Sequence, residues 1–298
     1  MSRGTTGTGS SSARVGLLLG LFAAVGLGLA VAVSRFAYEG GTNGITVAAT
    51  RAVVMMCGLW LFCRLSGRSL RLPRRVWRHA AGLGALTALM FYGNVGSVEF
   101  IPVGLAALLF FTYPPMIAVL NVVVVREPLS PAKLAAVLLA FVGLALMLGV
   151  SFTAVDPRGV ALALSAAVAT AWNAVWLARR VAHVDPFVLT FHMAVIAALV
   201  LMLLALAGGN VVWPTVVSGW FGLAAVVALQ ASAVPLYFAS LGRIGALKSG
   251  VITNLQPLVS ILAAFVLFGE WLTPVQLLGG GLVLGGIWLM QWADSRAR

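Results

Sequence analysis

The sequence predicts an all-α integral membrane protein: ten transmembrane helices arranged as two inverted five-helix repeats. Three observations predict it. The 298 residues are 61% hydrophobic and only 9% charged, with a mean hydropathy of +1.06, whereas a soluble domain carries roughly 25% charged residues. The apolar residues fall in blocks of about 20, the length that spans a bilayer core of about 30 Å. One long segment also recurs at a constant offset of 143 residues. A water-soluble enzyme is excluded by the composition alone. Two cysteines, Cys57 and Cys63, cannot build a disulfide framework and read as packing residues.

The spans are expected at 15–34, 44–63, 79–98, 103–125, 132–151, 159–178, 187–207, 215–240, 246–268 and 274–292. The first follows a Ser/Thr/Gly-rich stretch, 1–13, expected to be a disordered tail. Its apolar block is longer than a signal-peptide core and more membrane helix follows, so it reads as an uncleaved span. The second carries one charge, Arg51, and the third follows the arginine-rich run between Arg64 and Arg78. The fourth contains Pro114-Pro115, and Leu129-Ser130-Pro131 opens the fifth. The sixth is a charge-free run after Arg158. The seventh and eighth share 186–242, divided at Gly208-Gly209-Asn210 and Pro214. The ninth and tenth repeat the fourth and fifth, and 294–298 form a short tail. No soluble domain fits in what is left.

Basic residues orient the chain. Of 19 lysines and arginines, sixteen fall on the side of the termini and the even-numbered connections. Arg35 and Arg158 fall opposite, and Arg51 lies within a span. The positive-inside rule then predicts that both termini are cytoplasmic. The net charge of +12 reads as membrane orientation, not as a nucleic-acid footprint.

The repeat aligns Phe111–Met147 with Asn254–Met290 without a gap. Pro114 meets Pro257, Glu127 meets Glu270, Ser130 meets Thr273, Pro131 meets Pro274 and Gly143 meets Gly286. A unit of five spans is odd, so its second copy enters the membrane upside down. Such inverted repeats underlie many alternating-access carriers, with the site near the midplane. The mid-helix proline, terminal glutamate, Leu-Ser/Thr-Pro and Gly-rich helix, present twice, resemble the EamA-type repeat of the drug/metabolite transporter superfamily, and Arg51 fits its pattern. The repeats would then occupy 14–151 and 152–293. The resemblance implies a secondary transporter in a bacterial inner membrane, without a covalent cofactor, exporting a small metabolite, amino acid or drug-like solute. A lipid-linked carrier or flippase component, and a non-transporting assembly subunit, stay open as alternatives.

Several residues are candidates. Pro114, Pro115 and Pro257 should kink helices 4 and 9, because proline removes a backbone donor and clashes with the preceding turn. A kink in lipid needs protein or a water cavity around the freed carbonyls, so these helices are expected to line a cavity. Arg51, roughly 10 Å deep at 1.5 Å per residue, needs a partner or a ligand, and Glu99 is the nearest acid in this topology. Glu127 and Glu270 close hairpins or act as gates, on opposite faces. His192 is the inverted mate of Arg51. Tyr92, Asn94, Tyr113, Trp172, Asn173, Tyr237, Asn254 and Gln256 are the expected substrate-lining set, and Gln230 and Ser232 are further intramembrane polar residues. Gly16-x-x-x-Gly20 and Gly281-x-x-x-Gly285 permit close helix approach within the chain or in a homodimer. No phosphate loop or zinc motif occurs, and no cluster of titratable groups suggests a hydrolase.

Overall fold

The computed structural model describes residues 7–97, 100–101, 103–149, 155–269 and 273–296. They form α1 (Gly7–Glu39), α2 (Gly44–Leu65), α3 (Arg74–Gly96), α4 (Val103–Phe110), α5 (Tyr113–Val123) and α6 (Pro131–Leu148) in the first half. The second half holds α7 (Pro157–Arg180), α8 (Pro186–Ala207), α9 (Val217–Ile244), α10 (Ala246–Thr253), α11 (Leu255–Phe268) and α12 (Pro274–Arg296). The predicted fourth span is the pair α4/α5 and the ninth is α10/α11. Among the described residues, nine spans are long and apolar enough to cross a membrane. The remaining predicted span, α3, is the most dilute, with Arg74, Arg75 and Arg78 at one end and Asn94 at the other.

Helix starts follow local chemistry. Asn43, Ser130, Asp156 and Asp185 each accept a backbone N–H of the first turn of α2, α6, α7 and α8, satisfying donors that the helix itself leaves orphaned. Thr273 and Gln276 form a reciprocal cap at α12, with bonds of 2.9 and 3.2 Å. One boundary differs from expectation: α1 begins at Gly7 and so enters the segment read as a disordered tail. Ser10 to Arg14 present no helix breaker ahead of the apolar block.

The main helix pairings are symmetric under exchange of the halves. α2 packs on α8 and α6 on α12, each span against its own inverted mate. α1 packs on α9 and α11, just as α7 packs on α3 and on α4 and α5. The α6–α12 crossing shows the symmetry at atomic level. A Cβ on Gly143 would lie 2.6 Å from the Gly279 carbonyl oxygen, and one on Gly286 would lie 2.8 Å from that of Ala136. Shifting both members by 143 and exchanging them converts one contact into the other. Of the expected Gly281/Gly285 pair, an added Cβ on Gly285 would meet Leu139 of α6 at 3.5 Å, whereas one on Gly281 would meet none of the described residues within 4 Å. The inward face of α12 carries Gly279 and Gly286, seven residues apart, and Gly281 sits on another face.

The connections sort onto two ends. At the basic end, Arg68 pairs with Asp185 and Glu127 with Arg179. At the other end, Thr42 Oγ1 donates to Val212 O (2.7 Å) and Thr215 N to Gly40 O (2.9 Å). Phe268, the last residue of α11, packs its ring 5.1 Å from Phe36 and under the Arg35 guanidinium. The two repeated hairpins therefore lie at opposite ends of the bundle, as an inverted duplication requires.

Candidate functional site

Both interrupted spans break at equivalent places. Between α4 and α5 lie Phe111 and Thr112; between α10 and α11 lies Asn254, the counterpart of Phe111 at offset 143. Pro114, Pro115 and Pro257 sit in the first turn of the second pieces and offer no N–H to the turn before them. The chain tightens there into bonds that span three residues in place of four, Thr112 N to Leu109 O and Asn254 N to Val251 O, both 3.2 Å. The expected kinks are thus local breaks. They meet: the Tyr113 hydroxyl, on the first half, is hydrogen-bonded to Thr253 Oγ1 on the second, and both side chains are buried.

A second polar group lies between the halves. Arg51 is only 5% exposed. Its Nη1 donates to Gln230 Oε1 at 2.6 Å, and its guanidinium carbon lies 3.6 Å from the centre of the Phe91 ring. Nε and Nη2 reach no acceptor among the described residues. Gln230 and Tyr237 are seven apart on α9, so two turns separate them on one helix face. The Tyr237 hydroxyl and Asn254 Oδ1 are buried and likewise lack partners among the described residues. Buried polar atoms are normally paired, so these atoms mark a polar seam. At the basic end a pocket of about 330 Å³ opens between the halves, lined by Asn121, Glu127, Lys133, Arg179 and Lys248 among others. Asn121 is buried and lies eight residues along α5 from Tyr113.

A family model described as the EamA-like transporter family matches residues 14–149 and again 157–292. The chain belongs to the EamA-like transporter family. It is thus a multi-pass membrane transporter of small molecules. Similar proteins include the threonine/homoserine exporter RhtA of Escherichia coli (strain K12), 26% identical over 273 residues that cover 90% of this chain and 88% of that one. RhtA of Salmonella typhimurium (strain LT2) is 27% identical over 213 residues, covering 68% and 70%. A protein of Archaeoglobus fulgidus described as an uncharacterized transporter is 24% identical over 222 residues, covering 71% and 75%. One crystal structure superposes with a TM-score of 0.75 over 95% of this chain and 98% of that one, and at 24% identity it shows the fold alone.

In this EamA fold the expected site residues divide. Arg51, Tyr113, Tyr237 and Asn254 are all buried: Tyr113 is bonded across the halves beside Asn254, and Arg51 is bonded across them to Gln230, two turns from Tyr237. Gln256 is half-buried, and its backbone carbonyl packs against Gly28 of α1. Asn173 is buried between α7 and α3, donating to Thr87 Oγ1 (2.9 Å) and Leu83 O (3.3 Å). Trp172 is instead 37% exposed, beside Leu86, Leu89 and Val168 in an apolar groove on the outer surface. Tyr92 and Asn94 are half-buried on α3. His192 is held to its own helix, with Nδ1 2.9 Å from Val188 O. Glu127 is half-exposed in its ion pair with Arg179; Glu99 and Glu270 lie outside the described residues. Gln230, Thr253 and Phe91 were not among the expected set. The seven-residue spacing of Gln230 and Tyr237 was the available signal for the first.

Proposed function

We propose that this transporter exports an amino-acid-class solute by alternating access across a bacterial plasma membrane, with both termini in the cytoplasm. One observation carries the reading: Arg51, buried between the halves, offers two unpartnered cationic donors, Nε and Nη2. They suit the carboxylate of an amino acid, which only accepts hydrogen bonds. The exporters of threonine and homoserine among its relatives support both the substrate class and the direction. The sixteen basic residues that the sequence assigns to the side of the termini support the orientation, by the positive-inside rule. The chain carries out no covalent chemistry and binds no nucleic acid in this reading. Any homodimer would use the face of α12 around Gly281, where an added Cβ would meet none of the described residues within 4 Å.

Purified full-length protein in liposomes loaded with threonine tests the proposal. Labelled external threonine should accumulate by counterflow. Scrambling of lipid without solute flux would replace this reading with a flippase, and neither activity would leave an assembly role.

A further inference from the structure

We infer that Arg51 is the docking point for the solute's carboxylate, and that Gln230 holds the guanidinium by its other arm. The inference rests on the amino-acid reading above and names the residue that would select for it. Guanidinium is a planar fork, and its Nε–Nη2 edge takes a carboxylate side-on through two parallel hydrogen bonds. In Arg51 that edge is the unpaired one: Nη1 is taken by Gln230, while Nε and Nη2 meet no acceptor among the described residues. Phe91 covers the face of the fork at 3.6 Å, which fixes its plane and leaves the edge to a ligand.

Gln230 holds Nη1 through a neutral amide oxygen, so it leaves the positive charge uncompensated, and a carboxylate on the other edge gains charge-assisted bonds. Arg51 belongs to the first half and Gln230 to the second. The solute's carboxylate therefore docks on a side chain that already ties the two halves together, on the edge that the tie leaves open.

The test compares threonine with threoninamide, which keeps the ammonium and side chain but carries a neutral amide in place of the carboxylate. In proteoliposomes the wild-type protein should half-saturate at a threonine concentration about tenfold or more below that for threoninamide. Arg51→Gln should abolish that ratio, and Arg51→Lys, which keeps the charge and loses the fork, should retain part of it. The ratio does not depend on how much protein folds. Equal handling of the two compounds by the wild type, or an unchanged ratio in Arg51→Gln, overturns the inference while the amino-acid reading stands. Flux of neither compound overturns both.

Discussion

Tyr113 donates its hydroxyl hydrogen to Thr253 Oγ1, joining the break in one half of the molecule to the break in the other. The direction follows because Thr253 Oγ1 spends its own hydrogen on Gly250 O, 2.7 Å away. A single neutral hydrogen bond contributes about 1 kcal/mol. Tyr113→Phe should lower the thermal stability of the detergent-purified protein by about that much. Adding it to Thr253→Val should cost little more than Thr253→Val alone, because partners in one bond are not additive. Full additivity in this double-mutant cycle would show that the two residues are not coupled.

Arg51 and Gln230 make an asymmetric pair. Gln230→Leu leaves a buried guanidinium without a protein acceptor among the described residues, and losing a hydrogen bond to a charged group costs about 1.5–3 kcal/mol. The variant should accumulate poorly as a monodisperse species in gel filtration. The double variant Arg51→Leu/Gln230→Leu should recover, since the charge that needed a partner is gone. Recovery absent from the double variant would mean that Gln230 is needed for packing on its own account.

Gly143 and Gly281 predict opposite outcomes for the same substitution. An added Cβ at Gly143 meets the Gly279 carbonyl oxygen at 2.6 Å, and overpacking of this kind costs about 1–3 kcal/mol. Gly143→Ala should therefore lower the melting temperature. Gly281→Ala meets none of the described residues within 4 Å and should raise it slightly, since alanine is favoured over glycine in a helix by about 1 kcal/mol. Equal responses at the two sites would be inconsistent with the crossing.

Ser130 and Thr273 are equivalent caps in the two repeats, and both are exposed. In a chain whose Cys57 and Cys63 have been replaced, Ser130→Cys and Thr273→Cys should react from opposite sides of the membrane. A thiol reagent that cannot cross the bilayer should label only the Thr273→Cys protein in intact cells. Labelling of both from outside would remove the inversion on which the fold depends.

Local chemistry made much of this architecture legible. Ser130-Pro131 and Thr273-Pro274 announce helix starts, and Pro114 and Pro257 place the breaks, because each acts on its own turn of backbone. Tertiary relationships were harder. Gln230 lies 179 residues from Arg51, and only the packing of α2 on α9 brings them together. Trp172 and Asn173 are neighbours in sequence, yet one residue is about 100° around a helix, so one faces outward and the other is buried. The rotation of α12 likewise chose Gly279 and Gly286 over the more familiar four-residue glycine spacing. Glycine spacing alone does not say which side of a helix will be covered.

The α6–α12 crossing has a consequence for the transport cycle. Gly143 against Gly279 and Gly286 against Ala136 are a single contact written twice, so this crossing favours neither compartment. If each half adopted the shape now held by its twin, the vestibule beside Lys133 and Arg179 would close and its image would open at the opposite mouth. One upside-down duplication thereby supplies both endpoints of the cycle from a common stock of helix shapes.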